Sequence, residues 1–407
     1  MTKKERTLLL LLAGLNFTHI LDFIVMMPLG NYLIESLHIT AFEFSTLVAA
    51  YSISAFFSGL AIATFVDRFD RKKPLLIAYT GFLLGTVACG FAPNYVLLLL
   101  ARIVAGTFGG IIGAQVFAIV GDLFTYERRG RAMGVVMGGF AIASIIGVPL
   151  SLKVANIFNH NWHLPFLMIG AVAIILIPLV IRIVPNMTAH ITGEKQGNYF
   201  SALSKATKIP IQRSALMFSG LLMMGHFLII PFINPYLEFN KGFSKESLPT
   251  LYLVGGFASL VAALYLGRMA DKKGKLTVFS ISIGLSMIMV WIITRLPEVA
   301  FPLVMLFFAI FFMVATGRIV TAQAMITQVV PPEQRGSFMS INGSIQQLGS
   351  GIAALCAGTI VRTQRNGHII NYDWVGYLSI AVLLFTLLFG RIIFRDLDLN
   401  GEVKTVN

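Results

Sequence analysis

Three polar side chains recur along one face of the first apolar stretch of this sequence. Asn16, His19 and Asp22 lie in an apolar run from Thr7 to Leu33, which is long enough to cross a bilayer as a helix. At about 100° per residue they occupy roughly a third of the helix circumference, so they form one stripe. An acid at this depth is costly in lipid and typically marks an ion or proton pathway, and an imidazole titrates near neutral pH. The spacing predicts Asp22 as a proton carrier tuned by His19, with a buried stripe that does no chemistry as the alternative.

The composition excludes an ordinary globular protein. Of the 407 residues, 57% are hydrophobic and 12% are charged, and the mean hydropathy is +0.81. The net charge of +13 does not indicate nucleic acid, because the cations fall in short clusters between apolar runs. Cys89 and Cys356 lie inside apolar segments and predict neither a disulfide framework nor a metal site. The charged segment Met1–Arg6 imitates a signal peptide, but the run after it is too long and lacks a small-residue cleavage site.

Apolar runs bounded by charges, proline or glycine predict an all-α integral membrane protein with twelve transmembrane helices. One long polar segment, residues 185–212, divides the chain into a first six-helix half at 1–184 and a second at 213–394. A cytoplasmic tail follows at 395–407. The predicted helices cover roughly 7–33, 43–66, 74–92, 95–122, 132–157, 164–184, 213–237, 247–270, 276–296, 300–329, 337–361 and 374–394.

The positive charges predict how the chain is oriented. Most of the 31 Lys and Arg residues fall at the termini and in the loops on one side of the predicted bundle. Positive charge is retained on the cytoplasmic side of membranes, so both termini are expected in the cytoplasm. Five cations fall in the opposite loops: Lys241, Lys245, Arg295, Arg362 and Arg365.

Two loop segments occur twice, at the same place in each half. Residues 63–73 after the second helix match residues 267–275 after the eighth. Residues 127–134 after the fourth helix likewise match residues 333–340 after the tenth. Both matches keep the same orientation, which predicts two parallel repeats related by an axis along the membrane normal.

The first of these repeated loops resembles the Gly-x-x-x-Asp-Arg/Lys-x-Gly-Arg/Lys signature of the major facilitator superfamily, and the resemblance covers essentially the whole chain. The second copy fits well, whereas the first has Ala63 and Asp70 where the family prefers glycine. The resemblance implies a cytoplasmic latch that stabilises the outward-facing state; charges that only set topology are the alternative. Asp122 is expected to pair with Arg128 or Arg129 nearby. The implied latch residues are Asp67, Arg68, Arg71, Gly267, Asp271, Lys272 and Gly274.

Two further segments resemble the drug:proton antiporter and arabinose-efflux-permease-like branch of that superfamily. They are Leu100–Gly106 in the fourth helix and Gly134–Pro149 in the fifth. The resemblance implies export in exchange for protons, with the two halves rocking about a site at the midplane. The residues that match the antiporter motif of the fifth helix are Gly138, Gly139, Gly147 and Pro149.

Arg318 is the second strong functional signal. It lies in the middle of the tenth helix, too deep to reach either surface, and is expected to bind an anionic or hydroxylated substrate or to pair with an acid. Arg102 lies nearer the outer end of the fourth helix, where reaching the cavity, snorkelling and a structural role are all open. His226, the counterpart of the Asp22 region, is a second candidate for proton coupling or a packing residue. The remaining substrate-cavity candidates, which could instead join helices, are Asn16, Gln115, Gln323, Asn342 and Gln346.

We therefore expect a monomeric secondary transporter of the inner (plasma) membrane that exports small organic molecules such as drugs in exchange for protons. A sugar or metabolite exporter of the same fold is the close alternative, and uptake is also open because direction follows from stoichiometry and gradients. An integral-membrane enzyme is disfavoured because no nucleophile–base cluster, metal-ligand grouping or nucleotide motif stands out. A channel is disfavoured by the latch segments. We expect no cofactor and no nucleic-acid partner.

Overall fold

The computed structural model describes residues 2–62, 70–124, 126–187, 208–331, 335–364 and 367–400, which are almost entirely helical. Within this part of the chain, twelve long helical segments follow the predicted order. They are α1 Lys3–Val25, α2 Ala41–Ile62, α3 Lys72–Phe91, α4 Tyr95–Leu123, α5 Tyr126–Ile142 with its continuation Val148–Ile157, α6 His163–Ile183, α7 Pro210–Phe227, α8 Leu248–Lys273, α9 Lys275–Thr294, α10 Phe301–Gln328, α11 Arg335–Ile360 and α12 Tyr372–Asn400.

Eleven of these segments are long and apolar enough to cross a membrane. The exception in the described chain is α11, whose 26 residues would span about 39 Å. Its length suffices, but Asn342, Gln346 and Ser350 recur along it and lower its hydropathy. The protein is thus a multi-pass membrane protein, and α11 crosses as a partly polar helix packed inside the bundle.

The predicted first helix was wrong at its outer end, because α1 stops at Val25 rather than continuing to residue 33. Pro28 lacks an N–H and its ring clashes with the preceding turn, so the chain leaves the helix and restarts as the short helix Gly30–Leu37. The same break follows α7, where Pro231 lies in a tight turn soon after Phe227. Both halves therefore contain an interrupted first helix.

A π-helical turn interrupts α5 between its two α-helical parts. The turn covers Ala143–Gly147, and Pro149 lies directly after it. A proline cannot donate to the carbonyl four residues earlier, here that of Ile145, and its ring pushes that carbonyl away. The extra residue of the wider turn accommodates this mismatch without ending the helix.

Two helix pairs join the halves along their length. The antiparallel helices α2 and α11 approach closely near both ends, where Gly358 lies against Ser45 and Gly59 lies against Ser344. A side chain at either glycine would collide with the opposite helix. In the second pair, Gly256 of α8 packs against the π-helical turn of α5.

Both described chain ends lie at one end of the bundle, called here the terminal end, and the opposite end is the distal end. A short hairpin at the distal end connects α11 to α12. Its strands, β1 Arg362–Thr363 and β2 Ile369–Ile370, are antiparallel, with Arg362 opposite Ile370. The amide of Asn240 donates to the Ile369 carbonyl at 2.7 Å and its oxygen accepts from the Ile369 N–H at 2.9 Å. These bonds fix the hairpin to the π-helical turn Tyr236–Asn240, which follows α7 in the chain.

Polar contacts close the distal end across the boundary between the halves. Lys245 binds Glu35, and its Nζ lies 3.5 Å from a carboxylate oxygen of Glu238. Toward the terminal end, a Cβ added at Gly138 of α5 or Gly267 of α8 would meet no atom within 4 Å. The halves are thus tied together distally and leave space beside these glycines. Further distal bonds are Asn31 to Glu238, Asn156 to the Lys245 carbonyl, Asn234 to the Pro28 carbonyl, and His160 to Glu246.

Candidate functional site

A buried ion pair joins α1 and α4 in the N-terminal half. Arg102 Nη1 lies 2.8 Å from Asp22 Oδ2 and 3.2 Å from the Asp22 backbone carbonyl. Both side chains are fully buried. Burying two charges is favourable only when they compensate each other closely, and the loss of either partner would leave an uncompensated charge.

Aromatic and small side chains surround this pair. The Arg102 guanidinium lies 4.5 Å from the ring centre of Tyr51 on α2, a cation–π arrangement. The Tyr51 hydroxyl donates to the His19 carbonyl at 3.2 Å, and Thr86 of α3 borders the carboxylate of Asp22. Four helices of one half therefore hold the pair, although Asp22 Oδ1 and two Arg102 nitrogens have no hydrogen-bond partner within the described part of the chain.

The polar stripe on α1 is buried as its spacing predicts, but its members bond to different groups. His19 Nε2 lies 3.0 Å from Asn16 Oδ1, and the Asn16 amide donates to the Val136 carbonyl of α5 at 3.0 Å. Gly113 of α4 lies against the His19 ring. Asn16 thus links α1 to α5, and the hydrogen bond of His19 goes to Asn16 rather than to Asp22.

A second buried arginine is bound to a histidine in the C-terminal half. Arg318 Nη2 of α10 lies 2.8 Å from His226 Nδ1 of α7. Arginine only donates, so Nδ1 accepts and the neutral ring carries its proton on Nε2. The His226 ring also stacks on Phe311 with 6.1 Å between centroids. Arg318 is fully buried, and the described residues place no carboxylate within ion-pair distance of it.

The depth of each side chain in the bundle determines which arginine pairs with Asp22. Asp22 lies three residues before the end of α1, and Arg102 lies seven residues after the start of α4, so both are within about two turns of the distal ends of their helices. Arg318 lies seventeen residues into α10 and is therefore deeper. Sequence reasoning missed the pair because it extended α1 to residue 33. Ending α1 at Pro28 would have matched the two depths.

Two amide side chains meet between helices of the C-terminal half. Gln346 of α11 donates to Ser219 Oγ of α7 at 3.0 Å and lies 3.4 Å from Gln323 Oε1 of α10. Gln115 of α4 and Asn342 of α11 are also buried, and their amide oxygens have no hydrogen-bond partner among the described residues. Two of the predicted cavity residues, Gln323 and Gln346, thus meet each other in this half, whereas Asn16 bonds within the first.

Aromatic contacts connect the two arginine sites across the boundary between the halves. The ring of His226 lies 5.2 Å from that of Phe227, which lies 5.6 Å from Phe23 of α1. Phe23 in turn stacks on Tyr51 at 5.4 Å, and Tyr51 carries the Arg102 guanidinium. A continuous path of packed rings therefore leads from one guanidinium to the other.

The predicted latch in the first half falls partly outside the described residues, which exclude Asp67 and Arg68. Arg71 is described, and its Nε lies 2.9 Å from Asp122 Oδ2. The expected pairing of Asp122 with Arg128 was therefore wrong, and the side chain of Arg129 lies outside what the structure describes. Arg128 instead binds Glu5 at the start of α1, because the turn after α4 carries it toward the first helix.

Asp70, where the family prefers glycine, fixes the start of α3. Its carboxylate accepts from the Lys72 N–H at 3.1 Å and from the Met187 N–H at 2.8 Å. Desolvation raises the pKa of the Asp70 carboxyl, but these two N–H groups and the neighbouring lysines outweigh it and hold that pKa below its ordinary value. The substitution in the motif thus supplies a link from α3 to the segment after α6.

In the second half, the corresponding loop is compact and exposed. Asp271 and Lys272 end α8 with exposed side chains, and their roles in a latch stay predictions. Gly274 connects α8 to α9 with φ 91° and ψ 137°, a conformation that only glycine adopts readily. Gly267 faces open space.

The glycines of α5 divide into packed and unpacked positions. A Cβ at Gly139 would lie 2.9 Å from a backbone oxygen of α1, and one at Gly147 would collide with Leu21. Gly138 faces open space, and Pro149 follows the π-helical turn. Two of the motif glycines therefore allow α5 to approach the helix that carries Asp22.

In the part of the chain that the structure describes, twelve helical segments hold one buried ion pair in the first half and one buried arginine–histidine pair in the second, which is the architecture of a multi-pass membrane protein. The sequence profile of the Major Facilitator Superfamily matches residues 11–317 and 215–405, so the chain belongs to that family. Two relatives from Bacillus subtilis (strain 168) are uncharacterised MFS-type transporters. YceJ is 24% identical over 374 residues, covering 90% of this chain and 92% of the relative. YbcL is 25% identical over 357 residues, covering 87% and 88%.

Solved structures share the fold. A bacterial homologue of the human lysosomal transporter Spinster, inward-facing and unoccupied, gives a TM-score of 0.74 with 14% identity over the whole of both chains. The nucleoside transporter NupG gives a TM-score of 0.72 with 14% identity, covering 96% of this chain and 100% of that one. Together with the family match, these establish a membrane transporter that takes a small-molecule substrate.

Proposed function

We propose that the protein is a proton-coupled antiporter that exports small organic molecules by alternating access. The observation that carries this proposal is the fully buried pair of Asp22 and Arg102, the one ion pair among the described residues in which both side chains are fully buried. A carboxylate held by a guanidinium has two discrete states: ionised and paired, or protonated and released. Such a two-state element is what coupling between proton binding and rearrangement of helices requires.

The surroundings of the pair support this cycle. Its helices α1 and α4 lie in the half that contacts α11 through α2, and Phe23 beside Asp22 touches Phe227 across the boundary. Protonation of Asp22 would free Arg102 from its acid, so the helices would repack, and the ring contacts would pass that change to the second half. Release of the proton on the other side would restore the pair.

The positive charges support an orientation with both termini in the cytoplasm. We propose that the chain lies as a monomer in the inner (plasma) membrane of the cell. In that orientation the distal end faces outward, and Lys245 with Glu35 and Glu238 closes the outer side. The open space beside Gly138 and Gly267 then faces the cytoplasm. A substrate would enter from inside, as export requires.

A sugar or metabolite exporter is the second candidate. The group formed by Gln346, Gln323 and Ser219 favours it, because amides and hydroxyls recognise hydroxylated molecules. A purely lipophilic substrate would make no use of these polar groups. Counterflow in proteoliposomes, screened against lipophilic drugs and sugars, separates the candidates, because only the transported class exchanges.

Replacing the carboxylate tests the coupling. Asp22→Asn keeps the size and hydrogen bonding of the side chain but cannot exchange a proton, so accumulation driven by an imposed proton gradient should fall to the level of empty liposomes. Substrate–substrate exchange needs no net proton transfer and should persist. Uphill transport by Asp22→Asn would refute the role of Asp22.

Asp271→Asn, outside the buried pair, tests the predicted latch separately. We expect this variant to change the accessibility of introduced cysteines on the two sides of the membrane.

A further inference from the structure

We propose that Arg318, held by His226, is an anion-binding element of the transport path, so that the transported molecule carries a carboxylate or a similar oxyanion. This inference rests on the proposed function only in taking the bundle as a transport path. It does not require proton coupling, and it adds the charge of the substrate, which neither the family nor the relatives specify.

The guanidinium of Arg318 has more donors than the protein satisfies. The side chain is fully buried, and Nη2 donates to His226. Nε and Nη1 have no hydrogen-bond acceptor among the described residues. Two nitrogens of Arg102 are likewise without an acceptor, but that guanidinium is balanced by Asp22. A buried cation without an anion is more unfavourable than a buried donor without an acceptor, so Arg318 is the side chain whose charge a bound molecule would balance.

Arg102 shows how the same fold treats a structural cation. That guanidinium contacts a carboxylate, a backbone carbonyl and the face of Tyr51. Arg318 has a neutral imidazole as its partner and no carboxylate within ion-pair distance among the described residues. The charge of Arg102 is balanced within its own half, whereas that of Arg318 remains for a ligand to balance.

His226 holds the Arg318 guanidinium in place but does not neutralise its positive charge. Its Nδ1 accepts the Arg318 hydrogen bond, so its proton lies on Nε2. The ring stacks on Phe311 and the residue is only partly buried. Because Nε2 lies on the other side of the ring from Nδ1, its N–H points away from the arginine. The pair thus offers guanidinium N–H groups and one neutral N–H, and no negatively charged acceptor.

The neighbouring side chains fit an anion with a polar body. Gln323 lies on the same helix as Arg318, and Gln346 links it to Ser219 on the helix of His226. These neutral groups bind hydroxyl or amide substituents equally well, so they would not select charge. Selectivity for a negatively charged substrate therefore depends on Arg318.

Matched probes test the charge preference directly. Benzoate, benzamide and benzylammonium share a shape and differ in charge. Each is titrated against the purified full-length protein in detergent, and binding is followed by calorimetry and by the shift of the thermal transition. We expect benzoate to bind at least tenfold more tightly than benzamide, with no binding of benzylammonium. Equal affinities for benzoate and benzamide, or no binding of benzoate, would overturn the proposal.

Variants assign that preference to the residue. Arg318→Gln should lose benzoate binding by at least tenfold, and Arg318→Lys should retain part of it because the charge remains without the planar fork. Arg391→Gln, which removes an exposed arginine bonded to Ser280 on α9, is the matched control and should bind as wild type does. Unchanged benzoate binding by Arg318→Gln would also overturn the proposal.

Stability separates ligand binding from a structural role. A structural arginine loses stability when replaced, whereas removal of an uncompensated buried cation should leave the ligand-free melting temperature of Arg318→Met equal to or above that of wild type. A lower melting temperature would contradict the inference. Failure of proton coupling is recognised independently, because it is measured as uphill transport by Asp22→Asn and leaves equilibrium binding of benzoate untouched.

Discussion

The two halves of the molecule solve the burial of an arginine in opposite ways. In the first, Arg102 of α4 pairs with Asp22 of α1 and the charges cancel. In the second, Arg318 of α10 binds His226 of α7, and the positive charge persists. Corresponding helices supply the partners in both cases, but Arg318 lies deeper in α10 than Arg102 does in α4, so the two pairs differ in depth as well as in chemistry.

This difference indicates that the two halves serve different functions in transport. An acid–base pair can change its charge by taking up a proton, which suits coupling. A permanently charged guanidinium beside a neutral ring cannot switch in this way, but it attracts anions, which suits recognition. The packed rings from His226 to Tyr51 connect the two arrangements. One half would then drive the cycle while the other selects the cargo.

The largest effect is expected from breaking the balanced pair. Arg102→Met leaves Asp22 buried without a partner, which should lower the free energy of unfolding by about 3–5 kcal/mol. Chemical or thermal unfolding in detergent measures the loss. Replacing both partners, as Asp22→Leu with Arg102→Met, should recover most of it, because no charge then remains buried. Additive losses in this double-mutant cycle would show that the two side chains do not act as a pair.

A smaller effect is expected from exchanging the loop residues that correspond between the halves. Gly274→Asp places a side chain at φ 91° and should cost about 1–3 kcal/mol. Asp70→Gly removes the acceptor of the Met187 and Lys72 N–H groups and should cost about 1 kcal/mol. Melting temperatures of the two variants give the comparison. Equal stability of Gly274→Asp and wild type would show that the turn tolerates a side chain.

The contribution of Asp70 to the free energy of unfolding should also depend on pH. Because the backbone N–H groups hold its pKa below the unfolded value, the stabilisation is present above about pH 4 and is lost as the pH falls through the folded value. The difference in melting temperature between wild type and Asp70→Gly should therefore shrink in acid. A difference that stays constant from pH 7 to pH 3 would assign it to backbone flexibility instead.

The smallest effect on stability is expected from making the second half resemble the first. His226→Asp supplies Arg318 with an acid, and because a new buried ion pair roughly balances its desolvation, the free energy of unfolding should change by no more than about 1 kcal/mol. Benzoate binding should nevertheless be lost, because the anion's place is taken. His226→Asn, which keeps a neutral acceptor, is the control and should retain binding. Benzoate binding by His226→Asp at the wild-type level would remove the distinction between the halves.

The sequence predicts the helices because apolar runs and flanking charges report burial directly. It places α3, α4 and α6 to within two residues at each end. Its error at α1 arose because Pro28 was treated as part of an apolar run, although proline ends the hydrogen-bond ladder. The interruption of α7 after Phe227 was missed for the same reason, since Pro231 and Pro235 lie inside the predicted run.

The site was less predictable, since contacts between distant helices depend on rotation and depth together. The individual residues Asp22, Arg318 and His226 were recognisable because charged or titratable groups in apolar runs are rare. Their pairing was not, because it depends on where α1 ends, and the predicted helix placed Asp22 too far from its distal end to match the depth of Arg102. The hydrogen bond from the Met187 N–H to Asp70 could not be predicted either, because no sequence pattern indicates that residues 117 positions apart lie together.

The π-helical turn of α5 fixes a rotational phase as well as a bend. An inserted residue advances the helix by about 100°, so the parts of α5 on either side of Ala143–Gly147 are set at different azimuths. With this setting, Gly139 meets the backbone of α1 while Gly256 of α8 meets the turn itself. A single-residue deletion there would restore a regular helix and turn Gly139 away from α1. The residue spacing along α5 thus sets its contact with α1, which carries Asp22, and its contact with α8 of the opposite half at the same time.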